Sequence, residues 1–181
     1  MFDLEWTAWE GSLARGWSGP GEHREVVQFG AVRIDLQSGF REVDSFSRLV
    51  RPRINAVLSS YFMHLTGINQ EAVDASGCDF ADALTAFSKF VEGECLIFSN
   101  GGDEEVLLEN CALYGLSFPL DPQRFRNCHE ALICRTGLPS EQLVSSRLPD
   151  LLGISSGGSA HTAIGDARSL ARALYQLGQL Q

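Results

Sequence analysis

The stretch His161-Thr162-Ala163-Ile164-Gly165-Asp166-Ala167-Arg168-Ser169-Leu170-Ala171-Arg172-Ala173-Leu174 decides how this chain folds. Ala167, Leu170, Ala171, Leu174 and Leu177 recur at i, i+3, i+4, i+7 and i+10, the spacing of a helix with one face turned to a core. Asp166 stands at the edge of that stripe, four residues before Leu170, where an unpaired carboxylate is costly. A bound metal would resolve the conflict. His161 lies five residues before Asp166, and on one continuous helix the two side chains would diverge by about 140°. They converge only if His161 sits in the loop before the helix, and Ser155-Ser156-Gly157-Gly158-Ser159 supplies such a loop.

At the other end of the chain, Phe2-Asp3-Leu4-Glu5-Trp6-Thr7 carries two acids at i and i+2, which project from one face of an extended segment. Two anions side by side repel unless a cation or a proton intervenes. Asp103 follows Gly101-Gly102 and opens a helix whose Val106, Leu107, Asn110, Cys111 and Tyr114 share a face, with Gly115 as its stop. Each acid has a plainer reading alone: Asp103 as a helix cap, Asp3 and Glu5 as a solvated strand end, His161 as an exposed loop residue. Jointly, the four acids and the histidine can hold two divalent metals beside a phosphodiester.

Between these motifs the chain alternates strand and helix signals. Glu25 to Leu36 is rich in β-branched and apolar residues, a turn falls near Ser38-Gly39, and Phe40 to Val50 pairs back as a hairpin, giving a sheet of at least three strands. Trp9 to His23, with Gly11, Gly16, Gly19, Pro20 and Gly21, reads as a long mobile loop. Its Trp9, Trp17, Arg15 and Arg24 suit base stacking and phosphate contact, or are incidental. Leu58 to Leu65 forms a short helix ending at Gly67. A stripe of Phe80, Ala83, Leu84, Phe87, Phe90 and Val91 follows Asp79 as a cap, and Cys95 to Phe98 forms a short buried strand.

With 181 residues and 44% hydrophobic content, the chain suits one domain over residues 1–181. No apolar run approaches the roughly 18 residues of a spanning helix, so no membrane partner is expected. Met1-Phe2-Asp3 shows no secretory signal, which points to the cytoplasm. Five cysteines without a CxxC pair argue against a disulfide framework and a zinc site. A net charge of −9 disfavours tight binding of long duplexes. It is compatible with a few terminal nucleotides, because bound cations reverse the sign of the acid cluster.

Taken in order, these motifs resemble those of the DEDDh 3′–5′ exonucleases, the DnaQ-like group of the ribonuclease H-like superfamily. Its DxExT motif matches Asp3, Glu5 and Thr7; its middle Asp matches Asp103; its HxxxxD matches His161 and Asp166, followed by Ala167-Arg168. Leu107 and Cys111 after Asp103, and the segment Leu65 to Asp74, are similar to the branch of histone-mRNA and siRNA exonucleases and KapD-like proteins. Three positions depart from the pattern. Gly102 replaces an aromatic residue, Trp6 fills a usually smaller position, and few apolar residues precede Asp3.

The resemblance implies an α/β, ribonuclease H-like three-layer fold with a mixed central sheet flanked by helices. It implies metal-dependent 3′–5′ hydrolysis of single-stranded RNA or DNA ends to nucleoside 5′-monophosphates. Asp3 would bridge two ions, Glu5 and Asp166 would hold one of them and Asp103 the other, and His161 would accept a proton from the attacking water. Oxygen ligands suit Mg²⁺ or Mn²⁺. Leu4, Trp6, Thr7, Leu65 and Ile68 would line the nucleotide pocket. The alternative is a regulatory or nucleic-acid-binding protein of the KapD-like type with little catalysis.

Overall fold

In the computed structural model, which describes residues 1–93, 95–156 and 158–178, the acids of the N-terminal motif lie on Phe2–Trp6 (β1). β1 runs antiparallel to Val26–Asp35 (β2), with Leu4 opposite Phe29 and Asp3 opposite Gly30. Gly39 and Phe40, at φ 77° and 59°, give the hairpin tip two consecutive left-handed residues, as a tightly twisted turn requires. Arg41–Leu49 (β3) then returns along β2. A parallel pair, Ile97–Ser99 (β4) and Phe125–Asn127 (β5), lies with β4 beside β1. Strands of both senses are thus present, as a three-stranded antiparallel sheet and a two-stranded parallel one set beside it. The strand expected over Cys95 to Phe98 starts later, because Leu96 faces solvent and the ladder opens only at Ile97.

Strand alternation assigns the two faces. Phe2, Leu4, Phe29 and Ala31 point to one side, where they pack with Phe80, Ala83 and Phe87 of Phe80–Phe90 (α4) and with Val106 and Leu107 of Asp103–Tyr114 (α5). Rings dominate this layer; the Phe2 and Phe29 centroids lie 5.4 and 5.5 Å from that of Phe87. On the other side, Val32 meets Ala167 and Ala171 of Ala163–Gln176 (α8). Leu170 and Leu174 continue into a second cluster with Leu132 of His129–Thr136 (α6) and Leu148 of Leu148–Leu152 (α7). Helices thus cover both faces of the strands.

Gly30 lets α8 lie directly on the sheet. A Cβ there would stand 2.1 Å from backbone atoms of Ala163 and Ile164. Gln28 on the same strand accepts the Ala163 N–H at 2.9 Å, and the Thr162 hydroxyl caps Gly165 N–H at 3.3 Å, so two orphan donors of the helix start are satisfied. Arg168 forks onto Glu42 of β3 and fixes the helix laterally.

The segment expected to be a mobile loop from Trp9 to His23 is ordered instead, and contains Ser12–Arg15 (α1). Hydrogen bonding accounts for this: Trp17 donates its indole N–H to Thr7 O at 2.9 Å, Trp9 N–H reaches Ser12 Oγ at 2.8 Å, and Arg15 pairs with Glu22. The helix expected over Leu58 to Leu65 spans Ser60–Thr66 (α2), capped by Ser59 and ended by Gly67. A further helix, Gln70–Ser76 (α3), follows with Asn69 as its cap. Glu25 is fully buried, and its carboxylate accepts N–H groups from Arg53, Ile54 and Asn55 and the Tyr114 hydroxyl. Among the described residues no helix is long and apolar enough to cross a membrane.

Candidate active site

The face of β1 opposite Phe2 and Leu4 carries Asp3 and Glu5, and α8, seated on Gly30, brings Asp166 onto them. Oxygens of these three carboxylates all lie within 4.8 Å of one another. Asp103 approaches from the far edge of β1. Its Oδ1 accepts the Leu4 N–H at 2.9 Å, the amide that points away from β2. It is therefore not a helix cap; Gly102 holds that position without a side chain. His161 stands in the turn before α8, as its spacing from Asp166 required, at φ 55° in left-handed backbone. Of the Ser155 to Ser159 loop expected to carry it, Gly157 lies outside the described residues.

Electrostatics make this a site of conflict. Burial, then the charges of Asp103, Glu5 and Asp166, hold Asp3 well above the usual carboxylate range. Burial, then Asp166 and Asp103, push Glu5 up to about 8. Burial takes Asp103 up to about 7 against the opposing Leu4 N–H. Burial also takes Asp166 up to about 7, opposed by the His161 backbone N–H. Asp166 Oδ1 is buried without a hydrogen-bond partner among the described residues. Four crowded acids, one with an orphaned oxygen, fit hard divalent cations, which take carboxylate oxygens and cancel the repulsion.

Each carboxyl binds its proton more tightly in the folded state than in the unfolded chain, where the value is about 4. Its contribution is fully present below about pH 4 and is lost as pH rises through 7 to 8. Metal-free protein is thus expected to melt at a higher temperature at pH 5.5 than at pH 8.5, with millimolar Mg²⁺ or Mn²⁺ closing the gap at pH 8.5. Calorimetry in EDTA tests this, and a higher midpoint at pH 8.5 would refute it.

The expected nucleotide-pocket residues divide. Leu4 is only 3% exposed and packs in the first core layer. Thr7 is 2% exposed; its hydroxyl donates to His23 O and accepts the Glu25 N–H. Ile68 is 7% exposed among Val27, Leu58, Phe62 and Val73. These three side chains are packed into the fold. Trp6 is half-buried against Trp17, and Leu65 is 38% exposed. Positioning residues escaped the sequence reading: Gly30, Gln28, Gly165 and the Arg168–Glu42 pair. Gly165 lets the loop before α8 pack against the helix start, since a Cβ there would meet Ser159 O at 2.3 Å. A glycine inside the apolar strand Gln28-Phe29-Gly30-Ala31-Val32 is the one legible signal, marking a close backbone approach.

The chain is 25% identical over 189 residues to 3′-5′ exoribonuclease 1 of Rattus norvegicus, covering 99% of this chain and 52% of that one. It therefore spans about half the length of that relative. The nuclease domain of 3′hExo, a DEDDh family member bound to rAMP, superposes with a TM-score of 0.81 at 24% identity, over 98% of this chain and 90% of that chain. A 3′-exonuclease in 3′-end-specific recognition of a histone mRNA stem-loop superposes equally well, with a TM-score of 0.81 at 24% identity over 99% of this chain and 62% of that one. These likenesses establish the three-layer α/β fold of the DEDDh nucleases. Because the exonuclease family model RNase_T matches residues 1–174, a span that includes β1, Asp103, His161 and Asp166, the chain belongs to that exonuclease family.

Proposed function

We propose that residues 1–181 act as one domain, a divalent-metal-dependent 3′–5′ exonuclease that shortens single-stranded ends and releases nucleoside 5′-monophosphates. The observation that carries the reading is the convergence of Asp3, Glu5 and Asp166, with the orphaned Asp166 oxygen among them. Asp3, Glu5 and Asp166 would hold one cation, with Asp3 shared by a second on the Asp103 side. Two such ions, Mg²⁺ or Mn²⁺, supply Lewis-acid polarisation of the phosphodiester and offset charge on the leaving oxygen.

The chain's own residues do the rest. Asp103 is locked to the strand by the Leu4 N–H, which fixes its free oxygen at the edge of β1. His161, on the turn beside Asp166, accepts the proton of the attacking water, which requires its neutral imidazole. Leu65, exposed on α2, and the half-buried Trp6 are the side chains available to a terminal base. RNA is the favoured substrate, since the relative of Rattus norvegicus is named an exoribonuclease. All five cysteines are free, which accords with a reducing, cytoplasmic setting.

An oligonucleotide labelled uniformly along its length tests the reading. Mononucleotides are expected in Mg²⁺ or Mn²⁺ and none in EDTA, with a 3′-phosphate or a circular strand resisting. Undiminished release in EDTA refutes the metal, and rapid cutting of circles refutes the 3′ polarity. Binding without any release would instead indicate the non-catalytic, KapD-like alternative.

A further inference from the structure

The segment joining β1 to β2 holds a cation near Gly102, the residue before Asp103, that the proposed hydrolysis does not use. Arg24 donates through Nε to Glu109 of α5 at 2.8 Å and pairs with the same carboxylate through Nη2. Its backbone is stapled to the same helix, because the Asn110 amide donates to Arg24 O at 2.7 Å while its oxygen accepts the Val26 N–H at 3.0 Å. Trp17 lies under the guanidinium, whose carbon is 5.8 Å from the ring centroid. Trp17 is itself held at φ 53°, a conformation that costs a non-glycine residue free energy, by its bond to Thr7 and by the Trp6 ring 6.1 Å away. The remaining nitrogen, Nη1, has no acceptor among the described residues. It is 3.9 Å from where a Cβ on Gly102 would stand, and Gly102 immediately precedes Asp103.

We infer that Arg24 binds a backbone phosphate of the incoming strand, with Trp17 beneath its guanidinium as the positioning residue. The inference rests on the exonuclease reading and adds a substrate contact to it. Charge supports it. Beyond Asp103, the first turn of α5 carries Glu104 and Glu105, so a strand reaching the site along this flank otherwise meets two acids that the cations do not cancel. The absent side chain of Gly102 leaves an opening bordered by the Glu105 carboxylate, 3.4 Å from the Cβ position, and by Arg24 Nη1 at 3.9 Å, so the arginine is the group that can meet a phosphate there. Arginine suits the task because its planar fork can keep Glu109 on one edge while the other edge takes phosphate oxygens. Arg15, the other arginine of this segment, is spent on Glu22 and Glu10 O.

The test is binding of a 5′-labelled uridine 12-mer in Ca²⁺ over a series of salt concentrations, for wild type, Arg24→Met and Glu109→Gln. Both substitutions break the same ion pair, but only the first removes the cation. Arg24→Met is expected to bind about tenfold more weakly, the scale of one charge-assisted contact, and to lower the salt slope by about 0.7, the value for one phosphate on a single strand. Glu109→Gln is expected to retain wild-type affinity and slope. Equal losses in both variants would show that the pair only supports the fold, and would overturn the inference. So would an Arg24→Met protein that binds like wild type while wild type cleaves in Mn²⁺; in that case the exonuclease reading survives alone. A wild-type protein that neither binds nor cleaves the 12-mer overturns both.

Discussion

Asp166→Asn is expected to bring turnover down to background while leaving the fold intact and the metal-free protein more stable. The carboxylate is buried beside Asp3 and Glu5, and one of its oxygens has no partner among the described residues, so at pH 8 it opposes folding unless a cation is bound. Neutralising it should stabilise the metal-free protein at pH 8 by about 1–3 kcal/mol, the usual range for relieving an unsatisfied buried group. The gain should vanish near pH 4, where the native carboxyl is already protonated. Asp3→Asn should behave in the same way. His161→Ala is the informative contrast: the carboxylates remain, so metal binding should persist while turnover falls roughly 10²–10⁴-fold, the scale of a positioned general base. Calorimetry with and without Mn²⁺, alongside single-turnover rates, separates these effects. Strong destabilisation of Asp166→Asn in EDTA would show instead that the acid is a structural element.

Gly30→Ala should also lose much of its activity, although Gly30 carries no functional group. The added Cβ would fall 2.1 Å from the backbone of Ala163 and Ile164, and a helix backbone cannot yield there as a flexible side chain would. Either α8 lifts off β2 or the sheet bends away from it. Overpacking of this kind costs about 1–3 kcal/mol. Displacement of Asp166 from Asp3 by about 1 Å should cost turnover about 10²-fold, since geometry at a reacting centre is that sensitive. Circular dichroism should show a folded but less stable protein, with weaker Mn²⁺ binding. Wild-type stability and turnover would mean that the helix and sheet are less tightly apposed than the structure indicates.

What the sequence determined by itself was the placement of chemistry on elements. The i, i+2 spacing of Asp3 and Glu5 put both on one face of a strand. The stripe from Ala167 to Leu174 put Asp166 at the first turn of a buried helix, and the five-residue gap to His161 forced the histidine into the preceding turn. These are local periodicities, set by 2 and 3.6 residues per repeat, so short segments report them faithfully. The apolar Val26-to-Ile34 segment and the turn after Ser38 fixed the hairpin for the same reason.

Contacts between distant segments were decided only by the tertiary structure. Whether the Leu4, Thr7 and Ile68 side chains are covered depends on the layer packed on them, which for Leu4 includes Leu107, for Thr7 His23 and for Ile68 Val27. The order of the Trp9 to His23 segment depends likewise on indole and hydroxyl bonds to β1, which composition rich in glycine conceals. Above all, the acids converge because α8 is drawn onto the sheet at a residue with no side chain. That approach is set by the excluded volume of Gly30 against Ala163, a pair 133 positions apart whose meeting no local pattern encodes.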